Sequence, residues 1–423
     1  MLTECYAFTF VKDRGFIMLN RISYTKARRL VLDAVHQMSS GSCPVEESFG
    51  RILAQELTAS ENVPPFDRSP YDGYAFRAAD TVHASKEHPV TLRILEEIPA
   101  GGISHFRVTE GTAVKILTGA PIPEGADAVR MFEKTVFTKE TVTLSAPART
   151  GENIVCAGED VKKGSVLAQP GMRIDAGLCG VIAAQNLAYP LVYERPLAGF
   201  ISTGSELLEV GEEPRPGKIF DSNRFALMSE MQRLGCRTAF LGVAKDNTEE
   251  IAERMENGLA QCDFLVVTGG VSVGDYDLTE KAMESVGAEI LVRGIEIKPG
   301  MACAYGVKDG KLIAALSGNP ASSLINFHVV TAPAIRKMCG LSEDKWIPET
   351  FPVVMERAFM KSSPLDRFLR GKLYLCDGTA RMRLSQDQGN VVLSSSIGAD
   401  IMAVIPAGHG PVAAGEKLEA FLL

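Results

Sequence analysis

A multidomain chain of the α/β plus β class is what this sequence predicts, and three observations carry the expectation. Its 423 residues exceed the roughly 250–300 at which a single core stops growing, so about two to four domains are expected. From Leu191 onward the apolar segments alternate between strand and helix periods, which implies a mostly parallel sheet covered on both faces. Residues 61–150 and the chain after Gly340 break instead into short alternating segments punctuated by Gly and Pro, the pattern of β modules.

Taken in order, residues 1–17 carry no periodic pattern, and Met18 opens the first readable segment. Ala27, Leu30, Val31, Ala34, Val35 and Met38 then recur at helical spacing, with Ser23 available as N-cap. Val90, Leu92 and Ile94 alternate within the first β module. The apolar segment Ala176 to Leu187 reads as a helix returning to pack beside the first one, so the module at 61–150 is expected as an insertion into a domain formed by 18–60 and 151–190. In the α/β unit, 191–340, Leu197 to Ile201, Thr238 to Val243, Phe264 to Val267 and Leu312 to Leu316 read as strands. Asn223 to Leu234, Glu249 to Leu259, Leu278 to Val286 and a long final run from Pro320 to Met338 read as helices. The last domain, 341–423, shows strand patterns at Phe368 to Leu375, Val391 to Ser394, Met402 to Ile405 and Leu418 to Leu422.

Composition narrows the function. With 46% hydrophobic and 23% charged residues the chain is globular. The 52 acidic and 44 basic side chains give a net charge of -8, which supplies no general field for nucleic acid or an anionic membrane. Nine cysteines are scattered without a C-x-x-C pair, as reduced thiols of a cytoplasmic protein would be. No apolar run approaches the ~18 residues of a membrane span.

Chemistry is expected in the loops beyond the carboxyl ends of the parallel strands, where such sheets bind ligands. Gly269, Gly270 and Gly274 let backbone amides approach an anion, and Ser272 adds a hydroxyl. Asp275 and Asp277 follow, hard carboxylates of the kind Mg²⁺ prefers; a ligand-free turn accounts for the glycines alone. Ser317-Gly318-Asn319-Pro320 sets Asn319 at an N-cap and Pro320 at the first helical position, a ready anion site with uncommitted amides, although capping explains Asn-Pro equally well. Ser202-Thr203-Gly204-Ser205-Glu206 repeats the arrangement, with Lys218, Asp221 and Arg224 downstream and Lys298-Pro299-Gly300 further on. Three such loops, with charges of both signs, suit a phosphorylated ligand plus a divalent cation.

The run from Phe66 to Ala75, Thr118-Gly119-Ala120-Pro121, Gly158-Glu159-Asp160, the run from Gly217 to Arg224, the run from Thr268 to Gly274 and Lys298-Pro299-Gly300 occur in the order that marks the molybdopterin molybdenumtransferase family. The chain from Met18 onward resembles that family, to which the C-terminal domain of gephyrin is related. The resemblance implies an elongated helical and β domain, an inserted β domain, a three-layer α/β molybdopterin-binding domain with a mostly parallel sheet and a C-terminal β-barrel. It also implies a homodimer whose site lies between the α/β domain of one subunit and the inserted domain of the other. The implied reaction inserts molybdenum from molybdate into adenylylated molybdopterin with release of AMP, assisted by Mg²⁺. Implied partners are those two substrates, the molybdopterin adenylyltransferase and acceptor molybdoenzymes. Carried over residue by residue, the resemblance assigns catalytic roles to Asp72, Thr118, Asp160, Glu206, Asp246, Asp277 and Lys298, with Asp277 and Glu206 on the metal. Gly269, Gly270, Ser272, Gly274, Ser317, Gly318, Asn319 and Pro320 would bind the molybdopterin. Gly294 (with Arg293 adjacent) and Met301 stand where the family has lysines, Ser317 where it has proline, and Ser205 where it often has aspartate. Fewer cations in that corner imply weaker oxyanion capture, and they leave open a non-catalytic paralogue that stores or delivers the cofactor.

Overall fold

A computed structural model describes residues 21–271 and 278–423; the expectations placed on Ser272, Gly274, Asp275 and Asp277 lie outside the described residues. At its centre is a six-stranded sheet in the spatial order Arg237–Ala244, Leu197–Thr203, Phe264–Thr268, Lys311–Leu316, Cys303–Lys308, Glu289–Arg293. The first four strands run parallel, Cys303–Lys308 runs against them, and Glu289–Arg293, antiparallel to Cys303–Lys308, runs with them again. The sheet is therefore mostly parallel, with an edge pair that periodicity alone did not reveal.

Every residue of Phe264–Thr268 is buried, because its side chains alternate between two covered faces. Phe264 and Val266 point into a core with Leu227, Met231 and Ile335. Leu265 and Val267 meet Ile251, Met255 and Met283 on the other side. Full burial of such side chains is worth about 1.5–3 kcal/mol each. The helices Ser222–Arg233 and Thr248–Gln261 begin on Asp221 and Asn247, whose side chains accept from the amides of Arg224 and Glu250. The expected long last helix is a succession of Pro320–Asn326, a π-helical turn Phe327–Thr331 and Ala332–Met338. Pro333 gives the reason: it lacks the amide that a regular α-helix would use and its ring crowds the preceding turn, which the wider turn relieves.

The helix Tyr24–Ala34 starts on Ser23 as expected but does not pack beside the returning helix. Ala27, Val31 and Val35 instead join the core with Ile335 and Met338 of the α/β unit. The returning helix, Ala176–Ala184, stops three residues early and buries Ile182 against Leu53 and Val192. The Gln185 side chain, which ends it, accepts from the amides of Ser60 and Glu61 at 2.7 and 3.0 Å and so anchors the start of the inserted module. That module holds six strands in the order Ala128–Met131, Gly73–Phe76, Thr112–Ile116, Val90–Ile98, Thr141–Leu144, Val136–Phe137.

In the C-terminal part, Asp366–Cys376, Thr379–Leu384, Phe351–Met355, Lys417–Leu422 and Ile401–Ile405 pair in sequence around a ring that closes back on the first strand. This five-stranded closed barrel matches the expected fold. The segment at Val391 is not one of its strands: Leu393–Ser396 is a 3-10 turn. Ile297–Lys298 runs parallel to the start of Asp366–Cys376, which brings Lys298 to the seam between sheet and barrel. Among the described residues, no helix is long and apolar enough to cross a membrane.

Candidate functional site

The three polar loops meet because Leu197–Thr203, Phe264–Thr268 and Lys311–Leu316 are hydrogen-bonded neighbours whose carboxyl ends share one edge. A cleft of about 550 Å³ opens there, lined by Glu206, Asp246, Gly269, Gly270 and the stretch from Ser317 to Pro320. These expected residues are thus gathered in one place. Gly269 has φ +89°, and a Cβ on it would lie 2.4 Å from the Thr203 carbonyl oxygen, so only glycine lets these two loops approach. Its amide donates to the Leu316 carbonyl at 3.1 Å and is already engaged. Thr279 donates to the Gly269 carbonyl at 2.9 Å, and Asn223 donates to the Gly318 carbonyl at 2.8 Å. Both residues fix the loops from outside the expected set.

The carboxylates of the cleft divide by use. Asp221 accepts from the Ser202 hydroxyl through one oxygen and, at 3.1 Å, from the Arg224 amide through the other, so both are spent on joining the strand end to the helix start. Asp246 accepts from the Ser205 amide at 3.0 Å through one oxygen only. Glu206 lies against Gly204, and no hydrogen bond or ion pair engages its carboxylate among the described residues. Lys218 donates to the Ser205 carbonyl at 2.5 Å, and Arg224 pairs with Glu209 at 2.7 Å. Among the described residues no three His, Cys, Asp or Glu side chains converge as a metal site. Glu206 and Asp246 nevertheless offer hard, uncommitted carboxylate oxygens in one polar cleft, a donor chemistry that fits Mg²⁺.

Lys298 and Met301 line a second cleft, of about 650 Å³, between the sheet edge and the barrel. Ser317 and Asn319 line both clefts and form the wall between them. Lys298 is exposed and makes no ion pair among the described residues. The barrel adds Lys361 and Arg367 to the same lining, cations that the sequence reading did not single out. Arg367 is 5% exposed, with its Nε unpartnered. On the same strand Arg370 is 1% exposed with Nε and Nη1 unpartnered, and burial lowers its pKa to about 10. Their only sequence signal was charge inside an apolar strand pattern, which costs stability unless something pairs it.

One expectation about this corner is corrected. The first amides of the helix that starts at Pro320 are already engaged: those of Ala321 and Ser322 donate to the Asn390 carbonyl of the barrel at 3.1 and 3.3 Å. Asn319 holds the N-cap position without a side-chain cap bond. Arg293 does not replace the missing lysine beside it, since it pairs with Glu280 at 2.6 Å and Glu284 at 2.5 Å.

In the inserted module, Asp72 and Thr118 are brought together: the Thr118 amide and hydroxyl donate to one Asp72 oxygen at 2.7 and 2.8 Å. The amide first, then the hydroxyl, holds this carboxyl below the usual range. Asp160 sits exposed in a turn that is pinned where its amide meets the Val63 carbonyl at 3.0 Å. None of these three lines either cleft of its own chain.

Comparison with known proteins decides the family. Residues 22–185 match the MoeA N-terminal region, domains I and II, and residues 199–337 match a probable molybdopterin-binding domain. The chain is 32% identical over 403 residues to the molybdopterin molybdenumtransferase of Staphylococcus aureus, covering 95% of this chain and 96% of that one. The chain belongs to the molybdopterin molybdenumtransferase family. A Staphylococcus epidermidis relative of the same name is 32% identical over 401 residues, covering 95% of each chain. The structure of a molybdopterin biosynthesis protein from Pyrococcus horikosii aligns with a TM-score of 0.81 at 32% identity, covering 95% of this chain and 99% of that one. A Pyrococcus furiosus molybdenum cofactor biosynthesis protein, at 17% identity and a TM-score of 0.58, shares the fold. Membership makes this chain a transferase of molybdenum cofactor biosynthesis.

Proposed function

We propose that the chain inserts molybdenum from molybdate into adenylylated molybdopterin and releases AMP, acting as a cytoplasmic homodimer. The observation that carries this reading is the shared wall of Ser317 and Asn319, with a carboxylate-lined cleft on one side and a cation-lined cleft on the other. A phosphate ester with its cation and a free oxyanion then lie side by side. The dithiolene sulfurs that take up the metal belong to the substrate, so the protein's part is positioning and charge stabilisation.

In this reading the glycine turn and Ser317 hold the pyrophosphate, while Glu206 and Asp246 would hold Mg²⁺ together with Asp277. A Mg²⁺ held by these carboxylates would supply charge neutralisation for the pyrophosphate. Lys298, Lys361 and Arg367 hold molybdate beside the dithiolene. Asp72, Thr118 and Asp160 act on the cleft of the other subunit, which agrees with their absence from the linings of both clefts of their own chain. Exposed Phe66, Tyr71 and Phe106, 44%, 43% and 51% accessible, belong to the same module and offer apolar surface for that contact.

Met301 in the second cleft favours the storage reading, because a thioether replaces a cation there. The cations of Lys361 and Arg367 in the same lining offset that loss and favour turnover. Purified protein given adenylylated molybdopterin, Mg²⁺ and molybdate should release AMP in step with molybdenum uptake. Tight pterin binding without AMP release selects the storage reading instead.

A further inference from the structure

A chain of buried polar side chains ends on the loop that carries Lys298. Tyr305, Asn326 and Thr331 are each 1% exposed or less, and Tyr305 packs in one core with Ile325, Phe327 and Val330, where a polar group costs stability unless it is paired. These three are paired. The Asn326 side-chain amide donates to the Gly300 carbonyl at 2.9 Å, and the Tyr305 hydroxyl donates to the Asn326 side-chain oxygen. The Thr331 hydroxyl lies 3.0 Å from the Tyr305 hydroxyl and is the donor there, since the Tyr305 proton is spent on Asn326. A carbonyl only accepts, so Gly300 fixes which way the Asn326 amide faces. Side chains five positions apart face different sides of an α-helix. The π-helical turn Phe327–Thr331 brings Thr331 round to the side of Asn326, so that both reach one hydroxyl.

Gly300 lies between Lys298 and Met301, and all three line the second cleft. The loop is closed at its base, where the Ile295 amide donates to the Met301 carbonyl at 3.1 Å, and Ile297–Lys298 pairs with the barrel strand Asp366–Cys376. A Cβ on Gly300 would lie 3.2 Å from the Ser322 carbonyl oxygen, so the loop rests on the helix Pro320–Asn326. That one short helix joins the wall between the clefts, at its start, to the loop that presents Lys298, at its end. We propose that Asn326 is a positioning residue of the second cleft: braced by Tyr305 and Thr331, its amide holds the Gly300 carbonyl and thereby sets where the loop presents Lys298 to an oxyanion. The inference rests on the reading of that cleft as the molybdate site. A cation held by locked neighbours binds without first being ordered, so loosening the brace costs oxyanion affinity and leaves the pyrophosphate of the first cleft undisturbed.

Asn326→Leu keeps the bulk and removes both hydrogen bonds of the amide, while Tyr305→Phe removes only the brace. Ile325→Val, at a buried apolar neighbour, controls for lost stability. Each full-length variant is measured for melting temperature, for molybdate binding by equilibrium dialysis, and for AMP release against molybdate at saturating adenylylated molybdopterin. In Asn326→Leu the half-saturating molybdate concentration should rise roughly tenfold, and in Tyr305→Phe by a smaller factor. Maximal AMP release and the half-saturating pterin concentration should stay as in the wild type. Ile325→Val should lower the melting temperature and leave molybdate binding where it was. A folded Asn326→Leu that binds molybdate as the wild type does overturns the proposal; if it does not fold, the same result for Tyr305→Phe overturns it. A wild type that binds molybdate but releases no AMP fails the turnover reading alone, and dialysis still decides the positioning role. A wild type that binds no molybdate removes the oxyanion site and the proposal with it.

Discussion

Asp72 owes its acidity first to Thr118, with a lesser contribution from the Lys115 charge. Both hydrogen bonds on its inner oxygen come from Thr118, so Thr118→Val should remove the hydroxyl, keep the amide and move the Asp72 pKa part of the way back up. A carboxyl titration by NMR reads this directly, and an unmoved pKa contradicts it. The sign for stability follows: a carboxyl lowered in the folded state contributes above its ordinary value near ~4, and that contribution fades as pH falls through the folded value. Met301 offers a second test at this scale. It lines the second cleft and is partly exposed, so Met301→Lys can add a cation without burying it in the core. The molybdate concentration for half-maximal AMP release should fall roughly tenfold, with pterin affinity little changed. A stable variant with unchanged molybdate dependence would remove Met301 from the oxyanion site. Gly294→Lys is the poorer experiment, because φ +76° strains any side chain there.

At the scale of elements, the strands that periodicity missed carried a different signal. Asp309-Gly310 joins Cys303–Lys308 to Lys311–Leu316, and Asp377-Gly378 joins Asp366–Cys376 to Thr379–Leu384. All four turn residues have positive φ, between 50° and 76°, which is the two-residue hairpin that Asp-Gly favours. Gly310→Ala meets no neighbouring atom within 4 Å, so its cost should be the backbone term alone, about 1–2 kcal/mol in a denaturant titration. No change in midpoint would show that this turn does not need its conformation. The helix start at Ser23 was legible because a cap is a local device. The partner of Tyr24–Ala34 was not, since an apolar stripe states that it will be buried without stating against what. The barrel's Asn390 carbonyl at the Pro320 helix was hidden for the same reason, as a contact across about 70 positions of sequence.

For the whole molecule, loop position rather than residue type made half of the site readable. Glu206, Gly269 and Ser317 follow parallel strands, and the strand order collects them at one edge, where Asp246, named only by the family resemblance, joins them. Lys361 and Arg367 were missed because their place depends on how the closed barrel seats against that edge through Ile297–Lys298. Asp72 and Thr118 stay outside both clefts of their own chain, so the account requires two chains to complete one site. Mixed subunits test that requirement most directly. Asp72→Ala and Glu206→Gln homodimers should each be nearly inactive in AMP release. After verified subunit exchange at equal amounts, half the dimers are mixed and each keeps one intact site, so about a quarter of wild-type activity should return. Activity no higher than that of the parental variants would contradict the shared site.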